Sequence, residues 1–166
     1  MADFNTNLWA PWRMEYIRSL EDELDDDGCF LCRYWEQPER DRENRVVRRT
    51  STALVVMNRF PYTTGHLLIA QGKHEGDFGD LTDDELGELN QLIRDSVALL
   101  RRTVEAQGFN VGYNLGKCAG AGLPDHLHAH VVPRWLGDTN VMSVVGDCRV
   151  IPESLDALYA ELLKNL

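Results

Sequence analysis

Between Asp125 and Pro133, histidine recurs at every second position: His126, His128 and His130, with Leu127, Ala129 and Val131 between them. A period of two is the side-chain period of a β-strand. The pattern therefore predicts a strand over 126–132 with imidazoles on one face and apolar side chains on the other. The apolar face suits packing on a helix. Three imidazoles make poor core material, because each brings ring nitrogens that need partners. A lone histidine in a strand is most often structural; three in alternation, directly after a glycine-rich stretch, point to chemistry. All five histidines lie between 66 and 130, at His66, His74 and these three. Pro133 cannot donate to a strand ladder and is expected to end the strand.

The clearest helix is predicted over 81–107. Thr82 and Glu85 fit a capping box, flanked by Leu81 and Leu86 as a hydrophobic staple. Apolar residues recur at Leu86, Leu89, Ile93, Val97, Leu100 and Val104, and Gly108 is placed to stop the helix. Strands are predicted over 52–57, 65–70 and 109–115, with a connection over 58–64 that contains Pro61. A short helix over 153–165 closes the chain. Residues 36–45 are polar and read as a loop. Residues 1–20, with Trp9, Trp12 and Tyr16, read as an arm or short helix that packs against something, such as a second subunit. No repeat or linker marks a boundary, so a single α+β domain is expected: an arm over 1–27, a core over 28–138 and an extension over 139–166.

The 166 residues are 43% hydrophobic and 27% charged, ordinary for a folded soluble domain, and the apolar stretches are too short to span a membrane. The N-terminus lacks a basic start and apolar run, so no signal peptide is expected and a cytoplasmic location follows. A net charge of −10 disfavours sequence-independent binding of nucleic acid, which needs Lys and Arg on phosphates. Six acids in seven at 21–27 read as a solvated surface, since nothing there spaces ligands around a cation.

Two chemistries compete for the histidine face. Neighbouring members of the row stand roughly 6.6 Å apart at the backbone, so one H-x-H pair could chelate a metal. Alternatively, one imidazole could attack phosphorus, for which a largely neutral nucleophile near pH 7 is suited. The loop from Asn114 to Gly122 offers unhindered backbone N–H groups and the charge of Lys117, both suited to phosphate. Cys29 and Cys32 form a C-x-x-C, and Cys118 and Cys148 stand apart. Redox chemistry would need a βαβ setting that is not evident. Ordinary thiols and metal ligands remain open.

His126-Leu127-His128-Ala129-His130-Val131-Val132 resembles the signature of the histidine triad (HIT) proteins, nucleotidyl hydrolases and transferases. Asn58, Gly65-His66-Leu67-Leu68-Ile69, Lys73-His74, Leu81-Thr82, Asn114 and Pro133-Arg134 follow the family's order over roughly 28–138. The segments Pro11 to Ile17 and from Trp135 onward are similar to the branch containing bacterial diadenosine tetraphosphate phosphorylases. The resemblance implies an antiparallel sheet with one long helix and a short C-terminal helix, assembled as a homodimer. It implies that His128 is the nucleophile, that His130 bonds phosphate oxygens and helps the leaving group, and that His66 completes their hydrogen-bond network. Asn58 would contact ribose and Asn114 the phosphate, with Lys117, Gly120, Ala121, Gly122 and Trp135 lining the substrate site. Cys29, Cys32, His74 and His126 would hold a structural zinc ion, which would leave His128 free.

One departure from the family pattern is Gly122, where many members carry glutamine. That places simple hydrolysis in question and favours transfer to inorganic phosphate. The leading expectation is a phosphorylase or hydrolase of diadenosine polyphosphates working through a covalent AMP-histidine. A nucleoside phosphoramidase and a zinc-stabilised nucleotide-binding protein without turnover are the alternatives.

Overall fold

The computed structural model describes residues 28–138 and 150–166. The expected aromatic arm, the acidic run and Cys148 lie outside the described residues. In chain order the elements are α1 (Phe30–Glu36), β1 (Val46–Arg49), β2 (Ala53–Met57), β3 (Leu67–Gln71), α2 (Asp83–Val104), β4 (Gly108–Tyr113), β5 (His128–Arg134) and α3 (Leu155–Lys164). The strands form one sheet in the order β1-β2-β3-β5-β4, every neighbouring pair antiparallel. This is the α+β arrangement expected, with the histidine strand brought beside β3 although some sixty residues separate them in sequence.

Strand alternation divides the core into two layers. Val55, Ile69, Ala129 and Val131 face one side, where Leu89, Leu100, Leu158 and Leu162 of α2 and α3 cover them with almost no exposed surface. Each such leucine contributes roughly 1.5–3 kcal/mol on burial. Leu54, Val56, Leu68 and Ala70 face the other side, against Leu31, Phe30 and Trp35 of α1. The histidines share this second side, so the apolar face of β5 packs on the long helix as its pattern predicts. The buried stripe of α2 is centred on Leu89, Leu92, Ser96, Leu99 and Leu100, while Leu86, Ile93, Val97 and Val104 lie at its margin.

Local signals hold at the start of α2: the Thr82–Glu85 capping box is fully formed. Its end differs from expectation. The helix stops at Glu105, a left-handed residue with φ 51°, and Gly108 opens β4 instead. The indole N–H of Trp135 donates to the carbonyls of Val104 and Glu105 (both 3.1 Å), satisfying groups that a helix end leaves open. Pro133 lies inside β5, not at its end. Pairing with β3 runs only as far as Val131, so a proline two residues later faces β4 alone and breaks no central ladder. The strand also begins later than expected, at His128.

The last residue of α1, Glu36, falls in the stretch 36–45 expected to be loop, and the helix itself was not expected, because no periodicity signals it. Tertiary contacts stabilise it. Arg49 donates to the Tyr34 and Trp35 carbonyls at its C-terminus (2.7 and 3.0 Å) and lies over the Trp35 ring. Trp35 sits so close to Gly72, just past β3, that a Cβ there would be 2.1 Å from the ring. Among the described residues, no helix is long and apolar enough to cross a membrane.

Candidate active site and metal cluster

Antiparallel pairing places Ala70 opposite His128, and both Leu68 and Gly112 opposite His130. Small neighbours at Ala70 and Gly112 leave room on the imidazole face. The two rings meet edge to face with centroids 5.0 Å apart. His128 is 7% exposed, and His66 is fully buried beside His130.

Hydrogen bonds assign the protons. A carbonyl oxygen only accepts, so the 2.9 Å contact between His128 Nδ1 and the His126 carbonyl places a proton on Nδ1. The neutral ring then carries its lone pair on Nε2, and among the described residues none takes that nitrogen. His66 is fixed by the opposite logic. Its Nδ1 accepts from the Asn58 amide (3.1 Å) and from the Tyr62 backbone N–H (3.2 Å). The proton of His66 therefore sits on Nε2, which donates to His130 Nδ1 at 2.9 Å. His130 must then carry its own proton on Nε2. The row thus presents one bare nitrogen, on His128, beside one N–H donor, on His130.

Both supporting rings are held neutral. Burial, reinforced by the neighbouring His130 and His128, pushes His66 down to about 3, and burial with His128 pushes His130 down to about 4. The Tyr62 ring covers both, 4.6 Å from His66 and stacked 5.9 Å from His130 by centroids.

A second cluster lies at the start of the same row. One ligand atom from each of Cys29, Cys32, His74 and His126 lies within 4.8 Å of all the others. Cys29 stands at the N-cap of α1 and Cys32 in its first turn, His74 in the segment after β3, and His126 in the residue pair before β5. The buried His126 ring donates from Nε2 to the Gln71 carbonyl (2.8 Å), which leaves Nδ1 unprotonated and facing both sulfurs, 3.1 Å from Cys29 and 3.4 Å from Cys32. A carbonyl partner on the far nitrogen is how metal-binding histidines are usually oriented. Burial and the adjacent Cys29 push the Cys32 thiol up to about 11, so a cation here must displace thiol protons. Two sulfurs and two imidazoles are the donor set of a closed tetrahedral zinc site, and these residues fit it.

Residues 39–135 match the HIT domain family. The chain belongs to that family. It is 37% identical over 151 residues to the AP-4-A phosphorylase of Mycobacterium tuberculosis, covering 89% of this chain and 77% of that one. The asymmetrical bis(5'-nucleosyl)-tetraphosphatase of Schizosaccharomyces pombe is 28% identical over 122 residues, covering 74% of this chain and 59% of that one. Among solved structures, a Zn-bound histidine triad family protein from Mycobacterium smegmatis superposes with a TM-score of 0.68 at 23% identity, covering 83% of this chain and 92% of that chain. These relations make the chain a nucleotide hydrolase or transferase of the HIT family.

Within this HIT domain the structure brings Asn58, His66, His128, His130 and Asn114 to one place. Asn114 Nδ2 lies 3.4 Å from the Gly120 carbonyl, to which it donates, and 3.5 Å from His130 Nε2. Two N–H groups cannot bond each other, so with His130 protonated on Nε2 that longer approach is a contact and not a hydrogen bond. Lys117, Gly120 and Gly122 are exposed on the adjoining loop, and Ala121 is half-buried there. The Trp135 indole is engaged by the carbonyls at the end of α2 and its backbone N–H by Asp138, so these hydrogen bonds run to no histidine of the row. Sequence reading missed Tyr62 and Gln71. Tyr62 sits in a connection without periodicity, and Gln71 acts through its backbone carbonyl, which no residue type reveals.

Proposed function

We propose that this HIT protein cleaves diadenosine polyphosphates, with His128 as nucleophile. The observation that carries the reading is the proton pattern: a bare His128 Nε2 beside a His130 Nε2–H. In the first step His128 Nε2 forms a bond to the phosphorus next to adenosine. The P–O bond to the remaining nucleotide breaks, and the leaving phosphate departs with the electron pair. His130 Nε2–H donates a hydrogen bond to a phosphate oxygen, where negative charge develops. A second acceptor then attacks the same phosphorus, the P–N bond breaks, and His128 recovers its lone pair.

Inorganic phosphate is the acceptor proposed. Gly122 carries no side chain to position water, and a Cβ there would meet nothing within 4 Å, so the loop has space for an anion beside Lys117. Diadenosine tetraphosphate would then give ATP and ADP. The likeness to an AP-4-A phosphorylase supports this choice. Incubating the protein with diadenosine tetraphosphate, with and without phosphate, tests it. ADP formed only with phosphate is the expected result. AMP plus ATP under both conditions would make the enzyme a hydrolase, and absence of products would favour a phosphoramidase or a binding protein.

The Cys29, Cys32, His74 and His126 cluster is proposed to hold structural zinc. When bound, zinc supplies a closed four-ligand brace between α1 and the histidine row and no open coordination position. We read the chain as one HIT domain, with its core over 28–138. A homodimer is proposed because β4 ends the sheet and its Val111 is 46% exposed. Thiols kept as metal ligands fit a cytoplasmic location.

A further inference from the structure

Asn58 corresponds to a residue expected to contact ribose, yet both ends of its side-chain amide are used inside the protein. Its Oδ1 accepts the backbone N–H of Phe60 at 2.9 Å. That bond settles which end of the amide is nitrogen, since a backbone N–H cannot accept. Nδ2 is therefore the end that lies 3.1 Å from His66 Nδ1. The backbone of Asn58 is tied to the same residue: its N–H donates to the His66 carbonyl at 2.9 Å, closing the connection between β2 and β3. Asn58 and His66 thus face each other across the base of one loop with two hydrogen bonds between them.

The consequence runs through His66. A nitrogen that accepts from Asn58 and from the Tyr62 N–H cannot carry a proton, so His66 must donate from its other nitrogen to His130. His130 is then obliged to present N–H, not a lone pair, on the side away from His66. The order of donors is directional, from Asn58 to His66 to His130. Reversing its first member reverses what the last one offers.

We propose that Asn58 is a positioning residue for the catalytic pair: its amide, together with the Tyr62 N–H, sets the tautomer of His66 and thereby makes His130 Nε2 a hydrogen-bond donor. The catalytic importance of that donor rests on the function proposed above, whereas the proton pattern is a property of the free protein. Asn58→Asp is nearly isosteric and replaces the donating NH₂ with an oxygen that only accepts. The carboxylate draws a proton onto His66 Nδ1, and the Tyr62 N–H, which donates to that nitrogen in the parent, loses its acceptor. Loss of the correct proton arrangement at a catalytic imidazole reduces turnover by about 10²–10⁴-fold.

The test uses the full-length protein labelled with ¹⁵N at histidine, in two measurements. Spectra of the free parent should show unprotonated Nδ1 and protonated Nε2 on both His66 and His130. In Asn58→Asp, His66 Nδ1 should become protonated, and kcat should fall at least 100-fold with little change in KM. Asn58→Ala is the second variant: the Tyr62 N–H still holds His66 Nδ1 as an acceptor, so it should keep the parent tautomer and lose much less kcat than Asn58→Asp. An equal loss in both variants with His66 unchanged also overturns the proposal. A protonated His66 Nδ1 in the parent, or an unprotonated one in Asn58→Asp, overturns the proposal, as does a rise in KM with kcat intact. If the parent shows the expected tautomers but turns over no dinucleotide, the function reading fails while the proton assignment stands.

Discussion

Gly65 and Gly87 receive the same substitution, to alanine, with opposite expected outcomes. Gly65 immediately precedes His66 and has φ +82°, a region that costs an L-residue about 1–2 kcal/mol. A Cβ there would lie 2.9 Å from Leu100 Cδ2 and 3.2 Å from Pro133 Cγ. Leu100 is fully buried and the proline ring is stiff, so neither yields cheaply, and such overpacking costs about 1–3 kcal/mol. Loss of glycine's freedom in the unfolded chain offsets roughly 0.4–1 kcal/mol. The net for Gly65→Ala is a destabilisation of about 1–4.5 kcal/mol. With a urea m-value near 2 kcal/mol/M, the midpoint should fall by roughly 0.5–2 M. Gly87 lies inside α2 with nothing within 4 Å of its would-be Cβ. Gly87→Ala should raise stability by about 0.5–1 kcal/mol through helix propensity. Urea unfolding followed by circular dichroism reads both. Equal shifts for the two variants, or a Gly65→Ala midpoint within about 0.3 M of the parent, would refute the backbone and packing reasoning.

Metal analysis of purified protein should find about one zinc per chain, and Cys32→Ala should lower both zinc content and melting temperature; metal-free protein with unchanged melting would contradict the brace. Acidification has a defined sign, because His66 and His130 are held near 3 and 4 while the unfolded chain takes up these protons near 6.5. Stability should therefore be present above pH 6.5 and decline as pH falls toward 4, with buried His66 alone worth up to about 1.4 kcal/mol per pH unit. Histidine resonances of these two rings that titrate near 6.5 would oppose this. Light scattering should return twice the 18.9 kDa chain mass, and Val111→Glu on β4 should move it toward monomer; a parent that scatters as a monomer refutes the assembly.

Strand alternation and capping are local, and they were legible. His128, His130, Ala129 and Val131 fall on the faces their spacing predicts, and Thr82 with Glu85 opens α2 as expected. What escaped depends on residues distant in sequence. Helix α1 ends on carbonyls taken by Arg49, and β1 is only four residues long with two arginines in it. The end of α2 is set by a left-handed Glu105 next to the Trp135 indole, where glycine alone would have announced a stop. Pro133 is tolerated inside β5 because β3 has already ended. His74 and His126 as partners of the thiols come from the resemblance to the HIT family, whereas the histidines of the row and the Cys29–Cys32 pair could be picked out by type and spacing. Their protonation could not, since it depends on the Gln71 and His126 carbonyls and on the Tyr62 N–H.

The claim at the centre is that His128 Nε2 bonds to phosphorus during turnover. Rapid acid-free quenching of the protein with diadenosine tetraphosphate, followed by proteolysis and mass spectrometry, addresses it directly. The expected result is one AMP on the peptide that contains His128, discharged as ADP when phosphate is added and absent in His128→Gln. Products formed at full rate by His128→Gln, or an adduct mapped to any other residue, would contradict the account.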